Sequence, residues 1–292
     1  MYAVTGATGH IGSRICSLLL EKGMEVKAVG RNLERLRGLI NKGAEACVGT
    51  LEDAEFLEKT FAGAEAVFTM IPPDVKAEDF RAFQKHISES IIEALKSAHV
   101  KYVVNLSSLG AHLARGNGPI AGLHDHEERL AAIKGLNVVN MRPAFFMENL
   151  LPNIAMIKAQ GFNGTPLRPD VRLPMIATRD IAAVAVEHLR APGREGATVH
   201  ELLGQRDLSM TEITGILGKA MGKPGLKYVQ FPYSSARDAM IQMGLSASIV
   251  DLFIEMYKAI NEEKLMHNLI RTDSNTTPTS FETFVKEVAL AG

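Results

Sequence analysis

Along the first 145 positions, short β-rich runs alternate with stretches in which apolar residues recur every three or four places. That alternation is the pattern of a parallel sheet covered by helices on both faces. Strands are predicted over residues 1–5, 25–30, 46–49, 66–71, 102–106 and 138–141, with Pro72-Pro73 and Pro143 stopping two of them. Ile11, Ile15, Leu18 and Leu19 give the first helix, closed near Gly23. Further helices are expected over 33–41, from a Thr50/Asp53 capping pair to Phe61, along the stripe Phe80, Phe83, Ile87, Ile91, Ala94 and Leu95, and over 124–134. Residues 110–122, with their glycines, Asn117 and Pro119, read as a loop able to serve as a lid.

Beyond Pro143 the rhythm breaks up. Helical patterns are predicted over 148–160 and 180–189, with 161–174 irregular between them. Ser209-Met210-Thr211-Glu212 is a capping box that opens a helix to about 221, and further helices cover about 234–268 and 281–290. The expectation is an α/β fold: a doubly wound parallel sheet with a smaller, mostly helical C-terminal lobe. The sheet domain would take residues 1–145 with a contribution from 175–200, and the smaller substrate-binding lobe would take 146–292.

Composition narrows the partners. The chain has 292 residues, 46% hydrophobic and 22% charged, which is the make-up of an ordinary globular protein. Thirty-two basic against thirty-three acidic residues leave a formal charge of −1, which argues against nucleic acid held by bulk electrostatics and gives no reason to expect a membrane surface. The two cysteines, Cys16 and Cys47, sit in apolar periodic segments and read as buried free thiols. No run of eighteen apolar residues occurs, and a strand at the first residues leaves no room for a secretory signal, so a cytoplasmic protein is expected.

Gly6-Ala7-Thr8-Gly9-His10-Ile11-Gly12 follows the first strand directly and opens the first helix. In that strand–turn–helix context the spacing reads as a dinucleotide fingerprint, and the fold as Rossmann-type. Gly6 allows the tight turn, Gly9 lets backbone approach a pyrophosphate, and Gly12 lets the helix lie close to the sheet. An NAD site usually carries Asp or Glu at the end of the second strand; Val29-Gly30-Arg31-Asn32 has a guanidinium there instead. Arg31 suits a 2′-phosphate, which favours NADP(H) over NAD(H), with the start of a solvated helix as the alternative role.

Several further segments carry a resemblance. Together with the glycine motif, Ile71-Pro72-Pro73, Asn105 to Ala111, Met141 to Asn149, Arg179-Asp180-Ile181-Ala182 and Thr277 to Phe281 resemble the NmrA-like branch of the atypical short-chain dehydrogenase/reductases, in the right order over nearly the whole chain. That branch contains NAD(P)H:quinone oxidoreductases, other reductases and non-catalytic NADP sensors. The resemblance implies a phosphate loop of Gly6, Thr8, Gly9, His10, Ile11 and Gly12, with Arg31 at the 2′-phosphate. It implies Thr50 and Leu51 near adenine, where the family often has an acidic residue in place of Thr50. Met70, Ile71 and Pro72 would border the ribose, Ser107 and Ser108 the nicotinamide, and Pro143 to Phe146 would close the pocket.

The wider superfamily uses a Tyr-x-x-x-Lys pair, the Tyr as proton donor. None of the five tyrosines lies between 109 and 135, and the only lysine there is Lys134. Ser108 and His124 are the remaining candidates for electrostatic or acid assistance, although His124 also suits a solvated helix start. His124 and His126 at i, i+2 point to different helix faces, so no metal site is expected. Phe145, Phe146, Met147, Phe162 and Met175 offer apolar surface for an acceptor, with Asn149 as a polar candidate. Two functions follow from these residues. One is hydride transfer from NADPH to a quinone or similar small conjugated acceptor; the other is an NADP(H) redox sensor acting through a protein partner. A homodimer fits either.

Overall fold

The computed structural model describes residues 1–191 and 195–290. In chain order the first elements are β1 (Tyr2–Val4), α1 (His10–Glu21), β2 (Val26–Gly30), α2 (Leu33–Ile40), β3 (Glu45–Val48), α3 (Ala54–Phe61), β4 (Ala66–Met70), α4 (Phe80–Ser97), β5 (Tyr102–Leu106), α5 (Ile120–Ala131) and β6 (Asn137–Pro143). Then come β7 (Phe145–Phe146), α6 (Leu151–Gln160), β8 (Phe162–Thr165), β9 (Arg172–Ile176), α7 (Thr178–Arg190), β10 (Ala197–Leu202), β11 (Asp207–Ser209) and α8 (Met210–Ala220). The last are β12 (Lys227–Gln230), α9 (Tyr233–Gln242), α10 (Ala247–Asn261) and α11 (Phe281–Leu290).

Seven strands form one parallel sheet in the order β10-β6-β5-β4-β1-β2-β3. Its near-continuous apolar strands follow from burial on both faces. Val4, Ala28, Phe68, Val104 and Met141 pack under α1, α2 and α7, while Ala3, Val29, Val67, Val103 and Val138 pack under α3, α4 and α5. The chain reverses direction across the sheet between β1 and β4, which opens a crevice at the carboxyl ends of those strands. β10 pairs with β6 from Ala197↔Val138 to Leu202↔Pro143, and α7 lies on α1. The sheet layer therefore draws on residues well beyond the first 145.

One polar row crosses this apolar sheet. Thr69, Asn105 and Asn140 are adjacent in register on β4, β5 and β6 and fully buried. Thr69 Oγ1 donates to Asn105 Oδ1 at 3.2 Å, and Asn105 Nδ2 donates to Asn140 Oδ1 at 2.9 Å. Buried amides of this kind must be paired, and here they pair with one another.

The smaller lobe packs α6, α8 and α11 around the sheet β11-β9-β7, with β12-β8 beside it. Residues 161–174, expected to be irregular, hold β8 and the start of β9. Their partners, β12 and β11, come from distant sequence, and the buried Asn163 of β8 bonds Asn153 and Thr214, so no local apolar alternation marks the strand. The helix expected from 124 begins at Ile120, directly after Pro119 at its N-cap. Asp53, not Thr50, caps α3, accepting from Phe56 N at 2.9 Å. The Ser209–Glu212 capping box forms as predicted. Asp180 on α7 ties down the C-terminal segment by accepting from Thr279 N at 3.0 Å and Thr279 Oγ1 at 2.7 Å. Among the described residues no helix is long and apolar enough to cross a membrane.

Candidate functional site

The loop between β1 and α1 is built on a close backbone approach. Gly6 has φ +64°, and a Cβ on Gly12 would stand 2.3 Å from the Gly6 carbonyl oxygen. Gly9 occupies the N-cap and supplies no capping side chain, so the first N–H groups of α1 have no intrahelical acceptor. Unpaired donors and the positive end of a helix dipole, set against a side-chain-free loop, fit a pyrophosphate. β2 ends beside this loop, where a Cβ on Gly30 would meet Thr8 Cγ2 at 2.9 Å. Three arginines follow. Arg35 donates to the Thr8 carbonyl at 3.2 Å, and Arg37 pairs with Glu34 at 2.8 Å. Arg31 is exposed and has no protein partner among the described residues, which leaves its guanidinium free for a ligand at this edge. Beyond β3, the Thr50 hydroxyl accepts from Glu52 N at 3.3 Å, and Leu51 is buried.

A cavity of about 380 Å³ opens at the carboxyl ends of β4, β5 and β6. Met70 and Ile71 enter it from the end of β4, Leu106 to Leu109 from the end of β5, and Pro143 to Phe146 from the end of β6. Phe80 and Gln84 of α4 and Pro119, Ile120 and Leu123 of the α5 start form one wall; Ile249, Phe253, Met256 and Ile260 of α10 cover it. Asn149 stands exposed at its mouth. Among the described residues, no Asp, Glu, His, Lys, Arg or Tyr lines this cavity, and the polar lining groups are Gln84, Ser107, Ser108 and Asn149. Pro119 and Leu123, four residues apart, face the cavity at the spacing of a Tyr–Lys pair.

The charges lie one residue behind the wall. Ser107 donates its hydroxyl to Glu127 Oε1, and Arg142 holds the same carboxylate in a fork, Nε at 3.0 Å and Nη2 at 2.5 Å. Glu127 is 5% exposed, so this pairing is what makes its charge tolerable there. Ser107 therefore offers the cavity a lone pair and no proton. Ser108 Oγ donates to the Leu109 carbonyl at 3.0 Å.

Of the residues singled out in the sequence, Met70, Ile71, Ser107, Ser108, Pro143, Phe145, Phe146 and Asn149 meet at this cavity. His124 does not: it lies outside the lining, and its Nδ1 is 2.8 Å from the Ala111 carbonyl, an acceptor that fixes the proton on Nδ1. Phe162 is also elsewhere, edge-on to Phe231 at 6.1 Å between ring centroids, and Met175 is wholly buried in the small lobe. Pro72 lies next to the lining residues Ile71 and Pro73. His126 is fully buried against Ser88 at 2.8 Å, and burial together with nearby Arg129 pushes its pKa down to about 3. Sequence reasoning missed Gln84, Leu123 and the α10 cover. Gln84 is a polar residue off the apolar stripe of its helix, Leu123 falls between the expected loop and the expected helix, and α10 begins more than 230 residues beyond the glycine motif.

The sequence model of the NmrA-like family matches residues 2–284. The chain is 31% identical over 262 residues to an NAD(P)H azoreductase of Xenophilus azovorans, covering 88% of this chain and 86% of that protein. It is 25% identical over 258 residues to quinone oxidoreductase 2 of Escherichia coli strain K12, covering 87% and 86%. Among solved structures, an NADPH-dependent quinone oxidoreductase of Escherichia coli complexed with NADPH superposes with a TM-score of 0.79, at 22% identity and 99% coverage of both chains.

Proposed function

The chain belongs to the NmrA-like family, and from that premise we propose that it is an NADP(H)-dependent oxidoreductase whose acceptor is a quinone or a similar planar conjugated molecule. The observation that carries the proposal is the apolar cavity, with no ionisable lining group among the described residues, set beside the glycine loop at the carboxyl edge of the sheet. The names borne by the azoreductase and quinone oxidoreductase relatives support the same class of acceptor. Reduced nicotinamide, when bound, supplies a hydride (two electrons and one proton), solvent supplies the second proton, and the quinone leaves as hydroquinone.

The absence of a lining acid selects the acceptor. Reducing a simple ketone generates an alkoxide, whose conjugate acid lies near water's pKa of about 15.7. Reducing a quinone generates a phenolate, whose conjugate acid resembles tyrosine at about 10. The difference of roughly 6 units is about 8 kcal/mol at 1.36 kcal/mol per unit. That exceeds the 10²–10⁴-fold, or about 3–5 kcal/mol, that a positioned acid contributes. A cavity without an acid therefore serves a quinone and serves a ketone poorly.

The chain's own residues bind, orient and exclude water. The N–H groups at the start of α1 would hold the pyrophosphate and Arg31 the 2′-phosphate. Ser107, its proton committed to Glu127, accepts from a ligand N–H or O–H. Phe145, Phe146 and the α10 side chains keep water from the reacting ring.

The test combines NADPH oxidation with a panel of small quinones and calorimetric titration of NADPH and NADH. Turnover with tighter NADPH binding is expected. Tight binding without turnover would replace the reductase with a redox sensor working through a protein partner, and no binding of either nucleotide would remove both.

A further inference from the structure

We infer that the cavity is built to take electrically neutral acceptors and to reject anionic ones; this rests on the reductase reading and narrows its substrate class. The argument comes from how the charges around the wall are arranged. Two ion pairs lie against it, and each is separated from the cavity by one uncharged polar side chain. Arg81 pairs with Asp125 through Nη2 at 2.7 Å and donates from Nη1 to Gln84 Oε1 at 3.0 Å, while Gln84 Nε2 donates to the Pro119 carbonyl at 2.9 Å. On the far side Glu127, forked by Arg142, is screened by Ser107. In both places the group shown to the cavity is neutral and the charge behind it is already paired.

The Gln84 screen is held firmly. Gln84 is 4% exposed and hydrogen-bonded through both amide atoms, and the missing Cβ of Gly122, which would fall 2.1 Å from Gln84 Oε1 and 2.3 Å from Arg81 Nη1, leaves room for the pair against α5. An acceptor carrying a sulfonate or carboxylate into this space would lose its hydration and find no free cation among the described residues of the wall, because Arg81 and Arg142 are already committed to Asp125 and Glu127. An unpaired buried charge is among the most expensive things a protein interior can hold. A neutral ring loses little on entry.

The experiment compares 1,4-naphthoquinone with 1,4-naphthoquinone-2-sulfonate under NADPH. The sulfonate is the more easily reduced ring, so any preference against it comes from the protein. The expected kcat/KM ratio favours the neutral quinone by at least about 100-fold. Leu123→Lys, which puts a cation on the cavity wall, should narrow that ratio about 10-fold or more. Gln84→Ala, which uncovers Arg81, should move it the same way and stands in if the lysine variant does not fold, as judged by thermal melting. A sulfonate used as well as the neutral quinone would overturn the inference while leaving the reductase reading intact, and so would a ratio that neither variant moves. If the wild type reduces neither compound, the reductase reading fails on its own. Calorimetry of both quinones with NADP⁺ present then decides the inference: selective uptake of the neutral one upholds it, and equal uptake or none overturns it.

Discussion

Replacing Gly12 by alanine isolates the close approach on which the glycine loop depends. Helix propensity alone favours the change, since alanine is better than glycine by about 1 kcal/mol in a helix interior. The new Cβ, however, would meet Gly6 O at 2.3 Å, Gly6 C at 2.7 Å and Ala7 N at 3.0 Å. All three are backbone atoms, so no side chain can swing aside and the loop itself must move by about an ångström. Overpacking of that kind costs about 1–3 kcal/mol. Gly38, inside α2, supplies the control, because a Cβ there has nothing within 4 Å. Urea denaturation should show Gly38→Ala gaining about 0.5–1 kcal/mol and Gly12→Ala losing about 1–3 kcal/mol. Because the displaced loop presents the N–H groups at the start of α1, calorimetric NADPH affinity should also fall about 10-fold or more in Gly12→Ala alone. If Gly12→Ala were as stable as Gly38→Ala and bound NADPH like the wild type, the loop would not lie against α1 as described.

Arg31→Ala should weaken NADPH by about 10–100-fold, one charge-assisted contact, and NADH by less than about 3-fold; equal losses by calorimetry would remove Arg31 from the 2′-phosphate. His126 is buried neutral with its pKa pushed down to about 3, whereas the unfolded chain takes up a proton near 6.5. The unfolded state therefore binds more protons below pH 6.5, and stability should fall by up to about 1.4 kcal/mol per pH unit from there towards pH 3. In His126→Gln that part of the slope should vanish, and an unchanged slope in urea titrations would refute the assignment. Asp180→Ala strands the Thr279 N–H and hydroxyl and should cost about 2–4 kcal/mol in chemical denaturation; a loss under about 0.5 kcal/mol would mean the C-terminal segment is held by other contacts.

The sheet was legible because its signals are local. The central strands are rich in β-branched or aromatic residues, most of them are bounded by glycine or proline, and Gly6, Gly9 and Gly12 sit where strand gives way to helix. The small lobe was less legible because β8, β9 and β11 contain Asn163-Gly164, Pro174 and Asp207 in place of a β-branched run and take their partners from far along the chain. At the cavity, residues adjoining strand ends were found and those contributed by helices were not. Leu123 and His124 are neighbours in sequence, yet a helix turns them about 100° apart, so Leu123 faces the cavity while His124 bonds the Ala111 carbonyl. Nothing in the acidic run after His124 distinguishes Glu127, which is buried by Arg142, from Glu128, which is exposed.

The amide row across β4, β5 and β6 has a consequence for how the chain finds its alignment. Ser107 lies two residues beyond Asn105, and Arg142 two beyond Asn140, and both reach the same carboxylate of Glu127. A slip of one residue between β5 and β6 would shift Ser107 by about 3.3 Å along Arg142 and turn Asn105 and Asn140 to opposite faces. Each stranded amide would then cost about 1–3 kcal/mol, a penalty that valine or isoleucine at the same places would not impose. The polar row thus acts as a key cut into an otherwise featureless apolar sheet. It admits one strand alignment, and that alignment brings the hydroxyl and the guanidinium onto a single carboxylate, both bonding Glu127 Oε1.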